Sequence, residues 1–193
     1  MTGIMFILLL FVFGCVFASP TCTDEEANKC MSDGGNFDFL HLEETFPKDE
    51  AHLTEFCSNA FSLLDCAIGF IDRCPNTKYA DYLEGMKGQK AVFKKLCDTS
   101  NSFRAEYLEN VACLNNKIST VAEKCAEEMN IFADGFKCSI GVRNYKDCIE
   151  DAVKECGEKT VEIFRTLYHP RQSINTTLCE QILKNLRDMG IIS

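Results

Sequence analysis

The sequence predicts an all-α fold: a disulfide-stapled helical domain built from two related helix-hairpin units. Three observations predict it. Apolar residues recur at steps of three and four, with no convincing alternation of period two. Thirteen cysteines are spread through 193 residues without a CxxC or CxxxC pair. Eight of them repeat one spacing, Cys57-x8-Cys66-x7-Cys74-x22-Cys97 in the first half and Cys138-x9-Cys148-x7-Cys156-x22-Cys179 in the second. Two further cysteines precede each block, so the pattern reads as a duplicated six-cysteine unit spanning about 22–97 and 113–179.

Residues 1–18, MTGIMFILLLFVFGCVFA, are uncharged and strongly apolar. Val16 and Ala18 are small enough for positions −3 and −1 of a signal-peptidase site, so cleavage before Ser19 is expected. The run is marginal for a membrane span, and no second run reaches that length. Residues 19–193 are then a single secreted cysteine-rich domain. Cys15 leaves with the leader, and the odd count becomes even: Cys22, Cys30, Cys57, Cys66, Cys74, Cys97, Cys113, Cys125, Cys138, Cys148, Cys156 and Cys179. An even set in an exported chain reads as six bridges. Structural zinc wants closely paired ligands, which are missing, so no metal is expected.

The elements follow in order. Thr23-Asp-Glu-Glu26 opens a short first helix. Ser32 to Phe46, with Asp33-Gly34-Gly35, is one long loop, an insertion in the first copy. Asp49 to Cys74 is helical on Leu53, Phe56, Ala60, Leu64, Ile68 and Ile71, with Pro47 in the first turn and Pro75-Asn76 ending it. Tyr79 to Cys97 follows, weakened by Gly85 and Gly88. Asn101 to Ala133 is the strongest helix, with Phe103, Tyr107, Val111, Leu114, Ile118, Val121, Cys125, Met129 and Phe132 in register and Asp134-Gly135 as its stop. Phe136 to Cys156 ends at Gly157. Val161 to Tyr168 is broken by His169-Pro170, and the capping box Thr177-Leu-Cys-Glu180 opens a last helix through Arg187.

Helix geometry constrains the pairing. At about 100° per residue, Cys66 lies about 180° around the helix from Cys57, and Cys74 about 80° beyond Cys66. Helix 49–74 is therefore expected to be central and stapled to neighbours on different sides. In an antiparallel hairpin, residues equidistant from the turn share a height. Cys57 and Cys97 average to residue 77, the middle of their hairpin. Cys113 and Cys156 average to 134.5, the next turn, and Cys125 and Cys148 come within two residues of it. Repetition adds Cys138–Cys179, Cys22–Cys74 and Cys30–Cys66. Within each unit the order is first-to-fifth, second-to-fourth, third-to-sixth.

Twelve cysteines after a leader, at these spacings from Cys22 to Cys179, resemble the domain-of-unknown-function family 19 of nematodes and arthropods. The resemblance implies an extracellular protein with six bridges. It implies no active site, because that family has no established catalytic residues.

A net charge of −9 argues against nucleic acid and anionic membrane surfaces as partners. The three histidines, His41, His52 and His169, sit in no catalytic motif, and Glu43-Glu44 and Glu127-Glu128 are adjacent pairs that do not share a helix face. No enzyme activity and no cofactor are expected. Asn175-Thr176-Thr177 is a glycosylation sequon, placed by the expected break before the last helix in an exposed position. Phe37, Phe39 and Leu40 in the long loop are candidates for a contact surface. The expected function is a secreted, monomeric, non-enzymatic binding or interaction protein whose partner is an unknown extracellular protein. A soluble carrier of an apolar small molecule is the alternative, with the apolar stripes lining its cavity.

Overall fold

The computed structural model describes residues 22–33, 46–129 and 135–191. Within them it is all-α: α1 Asp24–Asp33, α2 Glu50–Arg73, α3 Leu83–Cys97, α4 Ser102–Met129, α5 Cys138–Val153 and α6 Glu158–Asp188. Short 3-10 turns at Ala80–Tyr82 and Lys154–Cys156 lead into α3 and follow α5. The leader expected at 1–18, including Cys15, lies outside the described residues. So do Phe37, Phe39, Leu40 and His41.

Local chemistry sets most boundaries. Thr23 caps α1, its hydroxyl accepting from the Glu26 amide at 3.2 Å. Asp49 caps α2 by accepting from the His52 amide at 2.9 Å, and the His52 Nδ1 also meets it at 2.6 Å. Pro47 is therefore outside the helix and not in its first turn; its carbonyl accepts from the buried Tyr107 hydroxyl at 2.5 Å. Pro75 ends α2, and the Cys74 amide closes the last turn onto Phe70 and Ile71. Between α3 and α4 the chain turns tightly on Asp98, whose carboxylate accepts from the Ser100 amide and hydroxyl at 2.9 and 2.7 Å. Gly157, at φ 96°, lets the chain leave the Lys154–Cys156 turn and enter α6.

The bridges are Cys22–Cys74, Cys30–Cys66, Cys57–Cys97, Cys113–Cys156, Cys125–Cys148 and Cys138–Cys179, three of them the pairs given by the hairpin arithmetic and three those added by repetition. Their Cα–Cα distances run from 5.4 to 6.0 Å, ordinary for disulfides. Both halves carry the same order of pairing. Cys30–Cys66 spans 36 residues where Cys125–Cys148 spans 23, and the longer connection after α1 absorbs that difference.

Two expectations about the architecture fail. Helix α2 is not the centre of the bundle. Cys66 and Cys74 both run to α1 and the residues before it, so α2 is stapled on two sides only, to α1 and to α3. The centre is α6, which packs against α3, α4 and α5. The second failure explains the first. The chain does not break at His169-Pro170; α6 runs unbroken through Pro170 for 31 residues, about 46 Å at 1.5 Å per residue. Proline in a helix removes one amide donor and crowds the preceding turn. Here tertiary packing outweighs that cost. Gly88 on α3 leaves room for the ring, Ile174 is buried against Gly85, and Cys179 ties the far end to α5. Thr177 and Glu180 accordingly sit inside α6 and do not cap a new helix.

A continuous α6 joins the two halves. One apolar core runs through α2 to α6, with Leu53, Leu64, Phe93, Tyr107, Leu114, Ile149, Phe164 and Leu167 almost wholly buried. Phe56 and Phe93 meet edge to face at 4.9 Å across α2 and α3. A smaller cluster of Cys30, Phe70, Ile71 and Cys74 seals α1 onto α2. The stripe Phe103-Tyr107-Val111 packs in or against the main core.

Candidate functional site

The residues just after α2 and the last turns of α6 enclose a cleft of about 460 Å³, lined by Lys78, Asp81, Thr177, Glu180, Gln181, Lys184 and Asn185. On α6 these residues recur at steps of three and four, so they form one polar face of the helix. The opposite wall is the chain from Lys78 to Asp81, which Pro75 has turned out of α2.

Gln181 fastens the two walls. Its Oε1 accepts from the Tyr82 hydroxyl at 2.8 Å and its Nε2 donates to the Lys78 carbonyl at 3.0 Å. Helix α1 braces the outer wall. Asp24 accepts from the Lys78 ammonium at 2.8 Å and from the Tyr79 hydroxyl at 3.0 Å, and Arg73 reaches Glu26 at 3.0 Å. The Lys78 hydrogen bond, followed by that of Tyr79, holds the Asp24 carboxyl below its ordinary range; Asp24 in turn raises Lys78. Burial raises the Tyr82 phenol, with Asp81 adding to it. Two bridges flank the cleft, Cys22–Cys74 beside the outer wall and Cys138–Cys179 tying α6 to α5.

The cleft offers an ammonium group at Lys184, carboxylates at Asp81 and Glu180 and the amide of Asn185, while the Lys78 ammonium and the Gln181 amide are engaged in bracing the walls. That set suits a polar, hydrogen-bonding ligand with both donors and acceptors, such as a peptide segment. Sequence reasoning missed it. The signal was the polar period along residues 177–185, which is also the pattern of an ordinary solvated helix face.

Of the residues singled out from the sequence, Thr177 and Glu180 line the cleft, though neither was read as a binding group, and the others lie elsewhere. The twelve cysteines are all engaged in bridges. His52 is exposed beside its capping partner Asp49, and His169 is exposed on α6. Asn175 is not in an exposed break; it is half-buried in the middle of α6, where its Nδ2 lies 3.4 Å from the Tyr168 hydroxyl. Among the described residues no group of three or more His, Cys, Asp or Glu side chains could hold a metal ion, and no helix is long and apolar enough to cross a membrane. Six disulfides are the chemistry of an oxidising compartment.

No protein-family model, no curated protein and no solved structure matches the chain.

Proposed function

We propose that this chain is a secreted, non-enzymatic scaffold, made of two copies of one six-cysteine unit, that binds an extracellular protein through the cleft between residues 78–81 and α6. The observation that carries this reading is the braced polar lining of the cleft. Gln181 spans the two walls, and a disulfide anchors each wall within four residues. A surface held that firmly loses little conformational entropy on binding, the condition under which a modest contact becomes a specific one. The shared bridge order supports duplication. The leader-like first 18 residues and the six bridges support secretion. The charged and amide groups on the walls of this cleft favour the protein-binding reading over an apolar carrier.

The test is a photo-crosslinking amino acid placed at Asn185, exposed on the rim, with the purified chain incubated in extracellular fluid of its source. A defined crosslinked partner that disappears with Lys184→Glu, in a variant of unchanged unfolding midpoint, supports the reading. Crosslinks indifferent to Lys184→Glu remove the cleft from it. A lipid that persists with the chain in native mass spectrometry moves the function to the carrier.

A further inference from the structure

We propose that the sequon at Asn175 accepts a glycan only before α6 closes, so that its occupancy reports whether glycan transfer or formation of the Cys138–Cys179 bridge came first. The inference rests on the secreted reading above.

Glycan transfer makes a bond between Asn175 Nδ2 and the anomeric carbon of an oligosaccharide carried on a polyprenyl diphosphate. The bond from that carbon to the diphosphate oxygen breaks, the polyprenyl diphosphate leaves, and Nδ2 gives up one proton. The acceptor is recognised as an asparagine together with the hydroxyl two residues on, so both side chains must meet one enzyme surface. In α6 they cannot. Residues two apart on a helix lie about 200° apart around its axis. Thr177 faces the polar cleft with Gln181, while Asn175 is turned towards Tyr168, itself buried. Ile174, next to Asn175, is locked against Gly85, and Cys179 is tied to Cys138 on α5. Unwinding the sequon would take Ile174 off Gly85 and Asn175 off Tyr168 while the Cys138–Cys179 bond still held the helix beyond it in place.

A second turn in the same chain has the arrangement that α6 denies. At Asp98-Thr99-Ser100 the chain is exposed and non-helical, and the Ser100 hydroxyl donates to the Asp98 carboxylate at 2.7 Å. Residues i and i+2 meet there in the folded state. Asp98→Asn converts this turn into a sequon that the fold leaves open, and provides an internal control.

The experiment translates the full chain, leader included, in a cell-free extract with endoplasmic-reticulum microsomes, and reads glycan addition as an endoglycosidase-sensitive mass shift. Under oxidising conditions a minority of wild-type chains is expected to carry the glycan. The pair Cys138→Ser with Cys179→Ser should raise this to a majority. Pro170→Ala, which restores an amide donor and strengthens α6, should lower it below wild type. Asp98→Asn in an Asn175→Gln background should be modified whether or not the bridges form. Full occupancy of the oxidised wild type, equal to that of the bridge-deficient pair, would overturn the proposal. So would a bridge-deficient pair that stays bare while the Asp98→Asn site is modified. If the Asp98→Asn site also stays bare, the chain never meets the transferase, and the secreted reading falls first and this one with it.

Discussion

Gly85 on α3 and Ile174 on α6 lie so close that a methyl group on Gly85 would stand 2.5 Å from Ile174 Cγ1 and 2.7 Å from Ser173 Oγ. That contact is one of the places where the first half of the chain meets the second. Gly88, one turn on, has more room, with Pro170 Cβ at 3.0 Å. The glycines that weaken α3 as an isolated helix are what allow α6 to lie against it.

Gly85→Ala should therefore destabilise despite its better helix propensity. Overpacking costs about 1–3 kcal/mol, against a propensity gain of about 1 kcal/mol. Gly88→Ala should be near neutral, because the gain offsets a smaller displacement. Guanidinium unfolding midpoints of the two variants check the order; a Gly88→Ala variant as damaged as Gly85→Ala would mean that the close approach is not confined to Ile174.

Asn115 pins the chain as it enters α2. Its Oδ1 accepts from the Phe46 amide and its Nδ2 donates to the Phe46 carbonyl, both at 2.8 Å, and Phe46 itself is buried. Asn115→Ala leaves two backbone groups without partners and should cost about 2–3 kcal/mol. Tyr107→Phe removes one bond to the Pro47 carbonyl and should cost about 1 kcal/mol. Urea titration of both variants reads the difference, and equal losses would contradict the two-bond account.

Glu150 sets an acid limb. Its carboxylate accepts from Arg165 at 2.5 Å and lies 3.2 Å from Lys146. The Arg165 bond, with Lys146 behind it, holds its pKa down at about 2, from 4.5. Because the folded value is the lower one, the unfolded chain takes up the proton first as pH falls. The stabilisation is full above about pH 5 and drains away between about pH 5 and pH 2. Its size is about 1–2 kcal/mol once screening of the exposed Arg165 is allowed for. Glu150→Gln should flatten this part of a stability-versus-pH curve; an unchanged slope would assign the limb to other carboxylates.

The Cys57–Cys97 bridge joins residues 40 apart. In the chain-entropy model its loss costs about 4 kcal/mol. Cys57→Ala with Cys97→Ala should lower the denaturant midpoint accordingly while far-ultraviolet circular dichroism stays helical, since Phe56 and Phe93 still hold α2 to α3. Collapse of the helical signal would show that the core of this hairpin cannot stand without its staple.

The all-α class, the positions of five of the six helices to within a few residues and the six bridge pairs were all legible in the sequence. They rest on quantities read along the chain: the 3.6-residue period, the caps at Thr23 and Asp49, the equal distance of three cysteine pairs from a turn, and the repeated spacing that carried the pairing to the other three. What lay beyond it was decided by contacts between distant segments. Proline at 170 reads locally as a break, and only the space over Gly88 and the burial of Ile174 against Gly85 let α6 continue. That continuity moved the centre of the bundle from α2 to α6, put Asn175 inside a helix, and brought residues 177–185 opposite Lys78 and Asp81. A polar stripe looks the same in sequence whether it faces water or another wall. Only the path of the chain after Pro75 turned this one into a cleft.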